Sequence, residues 1–311
     1  MPLMKRLFRR LAEQNYYLAK ARWMRGQRKA MQAFSGPPII GYQMGKVGSS
    51  TIHASLNALH LDSPVYHVHF LNPRRVHEIE KQRRRYFRTE RYGYLKRPWL
   101  YEFLYQQIRE KDRQWKLITL VRDPIARNIS TFFENLEVTK KGNTSGYIVR
   151  SDYYDFDIEV DLDHVEPLIE LFFNRLVHER PLRYFDDEIR SVFGIDVFAG
   201  VFPTDKGYKL YRDDHADLLL IRLEDLDQCA ATAFKDFLGI DGFTLISTNV
   251  ASEKIYAPLY KEFKSRIRLP EDYVNSMYNS RYARHFYSDD EIRGFCYGWG
   301  SRQQAVNAMK N

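Results

Sequence analysis

The stretch from Ile39 to Leu59 restricts the fold of this chain more than any other. Ile39-Ile40-Gly41-Tyr42-Gln43 reads as a short buried strand and runs straight into Met44-Gly45-Lys46-Val47-Gly48-Ser49-Ser50-Thr51, after which Ile52, Leu56 and Leu59 recur at helical offsets. Strand, glycine loop and helix in immediate succession predict an α/β fold, with a central parallel sheet flanked by helices and a P-loop-like nucleotide site. In such a loop the main-chain N–H groups converge on an anion, and the helix N-terminus adds partial positive charge. Gly45 and Gly48 let a phosphate approach the chain, Lys46 beside Val47 supplies a point charge, and Ser49, Ser50 and Thr51 offer hydroxyl donors. The spacing differs from the Walker A loop, in which the lysine follows the last glycine, because here Lys46 precedes Gly48. An ordinary tight turn between strand and helix is the alternative for the loop taken alone.

A second unit has the same form. Lys116-Leu117-Ile118-Thr119-Leu120-Val121 is a strand candidate leading into Arg122-Asp123-Pro124-Ile125-Ala126-Arg127-Asn128-Ile129-Ser130. Asp123 suits the N-cap, Pro124 the first helical position, and Ile125, Ile129, Phe132, Phe133 and Leu136 the buried face. Arg122 then stands at the C-terminal edge of the sheet, where open α/β sheets bind ligands, and with Ser130 it suits a second phosphate. Between the two units, Val65-Tyr66-His67-Val68-His69-Phe70 alternates, which puts His67 and His69 on one face of a strand. Two imidazoles near a sheet edge suit acid–base work; satisfied structural histidines are the alternative.

Together these residues resemble a known group. A strand ending in a Lys-x-Gly-Ser/Thr-Ser/Thr loop, followed by a strand ending in Arg-Asp-Pro-x-x-Arg-x-x-Ser, is similar to the two nucleotide signatures of sulfotransferases that use 3′-phosphoadenosine 5′-phosphosulfate (PAPS). The resemblance implies that Lys46, Gly48, Ser49, Ser50 and Thr51 hold the 5′-phosphosulfate, and that Arg122 and Ser130 hold the 3′-phosphate. Adenosine 3′,5′-bisphosphate is then the product, and no metal is required. The His-x-His strand resembles that of uronyl and heparan 2-O-sulfotransferases, which implies a catalytic base at His69, with His67 second. The stretches Tyr184–Phe193 and Asp217–Leu226, and the tail Tyr278–Ser288, resemble bacterial sulfotransferases of capsular-polysaccharide synthesis, implying a carbohydrate acceptor. The late signature of the cytosolic small-molecule sulfotransferases is absent, which argues against phenol or steroid acceptors.

Charge completes the reading. The 311 residues carry a formal net charge of +8, but residues 1–35 hold +8, residues 74–116 another +8, and residues 117–311 hold −8. Residues 1–35 read as a basic amphipathic extension with Leu3, Leu7, Leu11, Leu18 and Trp23 at roughly helical spacing; it suits either an anionic membrane surface or packing on the domain at 36–311. The second basic stretch includes Arg74, Arg75, Arg83, Arg84 and Arg88 among aromatic residues, a composition suited to an anionic sugar chain or to nucleic acid. Its place directly after the histidine strand favours the sugar. Arg281, Arg284 and His285 are either contacts to nucleotide or acceptor or ordinary residues of a helix face. The eight acids from Asp152 to Glu170, without Lys or Arg among them, read as an acidic surface loop, and Val197–Phe202 as a strand. With no apolar run of about 20 residues and no signal-peptide core, the expected location is cytoplasmic, with the extension available for peripheral contact at the inner membrane. Cys229 and Cys296 lie far apart without metal-ligand spacing, in keeping with a reducing compartment. Two other functions remain open: an ATP-dependent kinase built on the same loop, and a non-enzymatic polyanion- or membrane-binding protein of polysaccharide assembly.

Overall fold

The computed structural model describes residues 15–87, 90–142, 144–151, 153–246 and 254–299; Leu3, Leu7, Leu11, Arg88 and Asp152, singled out above, lie outside the described residues. Helix α1 (Tyr16–Gln32) precedes the first strand, β1 (Ile39–Tyr42), and helix α2 (Ser49–Ala58) follows it. Then come β2 (Val65–Val68), α3 (Pro73–Arg83), two 3-10 turns, α4 (Lys96–Glu110), β3 (Trp115–Val121) and α5 (Pro124–Glu134). A hairpin unit of β4 (Glu137–Lys140), β5 (Gly146–Ser151) and β6 (Phe156–Asp161) leads to α6 (Glu166–Arg175) and α7 (Arg180–Tyr184). A π turn over Phe185–Arg190 joins α7 to α8 (Ser191–Phe193). The strands β7 (Tyr208–Arg212) and β8 (Ala216–Arg222) precede α9 (Leu226–Leu238), α10 (Ala257–Arg266), α11 (Glu271–Tyr278), α12 (Arg281–Phe286) and α13 (Asp289–Gly298).

The main sheet has the order β2-β1-β3-β8-β7. Its first four strands are parallel, with Ile39 opposite Val65 and Lys116, and Trp115 opposite Ala216. Every residue of β1 and β8 is buried, as expected for parallel strands covered on both faces by helices. The edge strand β7 runs antiparallel to β8, so the sheet is mostly rather than wholly parallel. A second, three-stranded antiparallel sheet, β4-β5-β6, also departs from the sequence expectation.

That second sheet corrects the reading of the acidic stretch. In β6, Phe156, Ile158 and Val160 alternate with the exposed Asp157, Glu159 and Asp161, so the acids occupy the solvent face of a strand. Leu168 and Phe172, one helical turn apart, then bury one side of α6. Composition suggested a loop where period specifies strand and helix. Phe132, Phe133, Phe172 and Phe263 meet edge to face or stacked beneath this unit, and each contributes roughly 1.5–3 kcal/mol by burial. The expected strand at Val197–Phe202 does not form: Val197 and Phe202 are buried, but Ala199, Gly200 and Val201 between them are exposed and turn at Gly200 (φ 69°).

Helix α1 docks on α4, with Tyr16, Ala19 and Met31 buried. Lys20 lies between Glu80 and Glu102, Arg84 sits over the rings of Tyr16 and Tyr17, and Trp23 packs against Trp99. Leu18 remains half exposed on the outer face. No helix among the described residues is long and apolar enough to cross a membrane.

Candidate functional site

The loop after β1 is shaped by two residues with left-handed backbone. Gly48, at the N-cap of α2, has φ 86°, a conformation that favours glycine, and a Cβ there would lie 2.8 Å from Leu223 Cδ1 and push that side chain aside. Lys46 has φ 71°, uncommon for a residue with a side chain. Val47 is fully buried and plugs the loop into the core. Two arginines of the second strand–helix unit hold the outer carbonyls: Arg122 Nη1 donates to Lys46 O (2.9 Å) and Arg127 Nε to Gly45 O (3.2 Å). Among the described residues, the main-chain N–H groups of Gly45, Lys46 and Gly48 have no hydrogen-bond partner. Two of the loop's carbonyls are thus occupied, while these three amides have no partner among the described residues. Ser49 is buried at the first position of α2, with Ser50 and Thr51 half-buried beside it.

Lys46 itself is paired. Its Nζ donates to Glu134 Oε2 (3.0 Å), and Lys254 Nζ donates to the same oxygen (2.9 Å). Burial works to raise the Glu134 pKa, but the two lysines outweigh it and hold the carboxyl below its usual range.

The second unit forms as its caps dictate. Asp123 accepts from Ile125 N (2.9 Å), Tyr278 OH (3.0 Å) and Trp299 Nε1 (3.2 Å), and Ile125, Ile129, Phe132 and Phe133 are buried behind it. Burial pushes the Asp123 carboxyl up against these bonds. The Tyr282 hydroxyl grips the Arg122 main chain, accepting from its N–H (3.1 Å) and donating to its carbonyl (2.9 Å). Glu224 accepts from Asp123 N (2.8 Å). Ser130 is half-buried on α5, two turns in from Arg122.

The histidines stand beside the loop. Strand β2 pairs with β1, setting His67 opposite Gly41 and carrying His69 to the strand's exit. The rings of His67 and His69 lie 4.9 Å apart, edge to face, and His53 of α2 lies 5.3 Å from His67. No group of His, Cys, Asp or Glu among the described residues is placed to hold a metal ion. His69 Nδ1 lies 2.8 Å from Gln43 O. A carbonyl only accepts, so Nδ1 carries the proton and Nε2 of the neutral ring keeps a lone pair. Burial, with the charges of Arg97 and Arg127, lowers the His69 pKa against the Gln43 bond. His67 is pushed down to about 3 by burial and by its neighbours His69, His53 and Arg97. His67 Nε2, His53 Nδ1 and both amide atoms of the fully buried Gln43 lack partners among the described residues.

Two contributors escaped the sequence reading. Glu188, on the π turn, accepts from Leu71 N (2.8 Å) and Asn72 N (2.9 Å) and from the hydroxyl of Tyr42, so one buried carboxylate fixes the chain just past His69 to β1. Burial raises its pKa against those bonds. The stretch reads as core because Phe185 and Ile189 surround it; the only signal was an acid set in an apolar frame. His53 gave no signal, because only the packing of α2 over β2 brings it to His67.

Apart from the exposed Arg74, the remaining candidates hold protein partners. Arg74 is exposed; Arg75 pairs with Glu78 (3.0 Å) and lies over Phe70; Arg83 donates to Tyr94 O (3.3 Å); Arg84 serves α1. Arg281 pairs with Asp186 (3.0 Å) over the Phe198 ring, Arg284 with Asp289 (2.6 Å), and His285 Nε2 lies 3.0 Å from Val197 O.

Residues 157–288 match the model of a family described as "NKWYS: Putative capsular polysaccharide synthesis protein". No curated protein and no solved structure matches the chain. The matched stretch runs from β6 to just past α12 and includes Glu188, Glu224, Lys254 and Tyr282, which contact, respectively, Leu71 and Asn72, Asp123, Glu134 and Arg122.

Proposed function

We propose that the protein is a sulfotransferase that moves the sulfuryl group of PAPS to a hydroxyl of a capsular or exopolysaccharide-type carbohydrate. The observation that carries this reading is one sheet edge shared by three elements: a glycine loop whose Gly45, Lys46 and Gly48 amides have no partner among the described residues, Arg122 and Arg127 on its carbonyls, and His69 with its tautomer set by Gln43 O. PAPS supplies an activated sulfuryl group. Gly45, Lys46, Val47, Gly48, Ser49, Ser50 and Thr51 would hold its 5′-phosphosulfate, and Arg122 and Ser130 its 3′-phosphate. His69 Nε2 takes the proton of the acceptor hydroxyl as the new O–S bond forms and the old one breaks. Lys46 and the loop amides meet the charge that collects on the departing phosphate oxygen, as in other loose in-line transfers. The family name supports a carbohydrate acceptor.

Calorimetry in metal-free buffer tests the nucleotide. Adenosine 3′,5′-bisphosphate is expected to bind at micromolar concentration and ATP more weakly, with Arg122→Ala costing tenfold or more; no binding to the wild type removes the sulfotransferase reading. With PAPS and a capsular oligosaccharide, His69→Ala is expected to abolish turnover and His67→Ala to reduce it. The reverse pattern would make His67 the base.

A further inference from the structure

Arg127 is only 4% exposed, yet among the described residues no carboxylate pairs with it. Its Nε donates to Gly45 O (3.2 Å) and its Nη1 to Asn128 Oδ1 (3.2 Å). A guanidinium taken out of water without a counter-charge is a standing cost to the fold. Burial and the nearby Arg180 push its pKa down to about 10, which leaves it charged at neutral pH. Arg180 is itself held toward the same place, with Nη1 on Tyr153 OH (2.8 Å). The Tyr184 hydroxyl, on a side chain 3% exposed and within reach of the Arg127 charge, has no hydrogen-bond partner among the described residues. Among the described residues, a buried cation without an anion, bonded to the Gly45 carbonyl, and a buried hydroxyl without a partner therefore lie near one another.

We infer that Arg127 is a binding residue whose counter-charge is brought by the ligand: an oxyanion, either phosphate or sulfate of the donor or carboxylate of the acceptor, seated on Arg127 where it meets the Gly45–Gly48 loop, with the Tyr184 hydroxyl nearby. The inference rests on that loop being an anion site. It assigns a ligand to the second arginine of the Arg-Asp-Pro-x-x-Arg run, whose first arginine the proposed function already uses.

The test compares wild type, Arg127→Met, Arg127→Lys and Tyr184→Phe, by thermal unfolding and calorimetry with pyrophosphate, adenosine 3′,5′-bisphosphate and glucuronate. Arg127→Met is expected to unfold, without ligand, at or above the wild-type temperature, and to lose tenfold or more in affinity for the anion that Arg127 serves; Arg127→Lys recovers part of it. Loss for pyrophosphate places the oxyanion on the donor, and loss for glucuronate alone places it on the acceptor. If Arg127→Met lowers the ligand-free melting temperature by more than about 5 °C and leaves both affinities within twofold, Arg127 is only a brace for the loop and the inference fails. Should Arg127→Met not fold, unchanged anion affinity in both Arg127→Lys and Tyr184→Phe overturns it equally. Pyrophosphate binding that depends on Arg127, with no gain from the adenosine moiety, would sink the PAPS reading and leave this one standing. Tight bisphosphate binding indifferent to every Arg127 and Tyr184 variant, with glucuronate likewise indifferent, would do the opposite.

Discussion

His69 shows how much one hydrogen bond determines at the scale of a residue. Gln43 O assigns the proton to Nδ1, and burial lowers the ring's pKa, so the neutral ring with its Nε2 lone pair persists to lower pH than in a free histidine. If His69 is the base, the acid limb of kcat/KM lies below the ordinary histidine value of about 6.5. A pH–rate profile checks this, and a limb at or above 6.5 would contradict it. Gly48 is constrained as tightly by geometry. Gly48→Ala combines a φ of 86° with a Cβ 2.8 Å from Leu223 Cδ1, and it is expected to cost about 1–3 kcal/mol in urea unfolding and to weaken anion binding. The pair Gly45 and Gly48 was legible as a loop, and Asp123-Pro124 as a helix start, because these preferences belong to single residues and their immediate neighbours. Glu188 was not legible, because its three donors come from residues 116 to 146 positions away.

Elements follow period before composition. β6 is strongly acidic and still a strand, since Phe156, Ile158 and Val160 recur every second residue and find the β5 face. α1 is strongly basic and is docked by specific partners: Lys20 between Glu80 and Glu102, and Tyr16 between Glu80 and Trp99 Nε1. Lys20 is only 14% exposed, so Lys20→Met leaves two acids facing one another across α3 and α4. The expected cost is about 1–3 kcal/mol, read as a lowered urea midpoint and increased quenching of Trp99 by solvent. An unchanged midpoint would mean that the aromatic contacts of Tyr16 and Trp23 hold the helix alone. Sequence left two uses open for this helix because an amphipathic stripe does not name what covers it; the outward Leu18 and Tyr17 show that its apolar residues do not all face one way.

Across the whole molecule, the wholly or partly buried histidines make stability depend on pH. Burial is the leading cause of the lowered pKa in His53, His67, His69, His178 and His285. A group that binds protons less readily folded than unfolded contributes stability that is complete above its unfolded pKa. That contribution is lost as pH falls below about 6.5, and for His67 the loss continues toward its folded value of about 3. Asp123, Glu188 and Glu224 are raised by burial and act in the opposite sense at lower pH, because the native state takes up those protons first. Denaturation midpoints are therefore expected to fall between pH 7.5 and 6, with a shallower slope in His67→Gln; a flat dependence would refute the burial of these rings. The same scale separates what the chain encodes locally from what folding decides. Sequence by itself determined the two strand–loop–helix units, the caps of α5, the alternation of His67 and His69 and the segregation of charge, because each depends on φ preferences, side-chain period or composition within a few residues. Only the tertiary structure decided that Glu134 draws Lys46 and Lys254 to one oxygen, that Arg122 and Arg127 face the loop's carbonyls, and that His53 joins the histidine row. These contacts join residues that parallel strand order and helix packing bring together, and no local rule specifies which distant side chain will arrive.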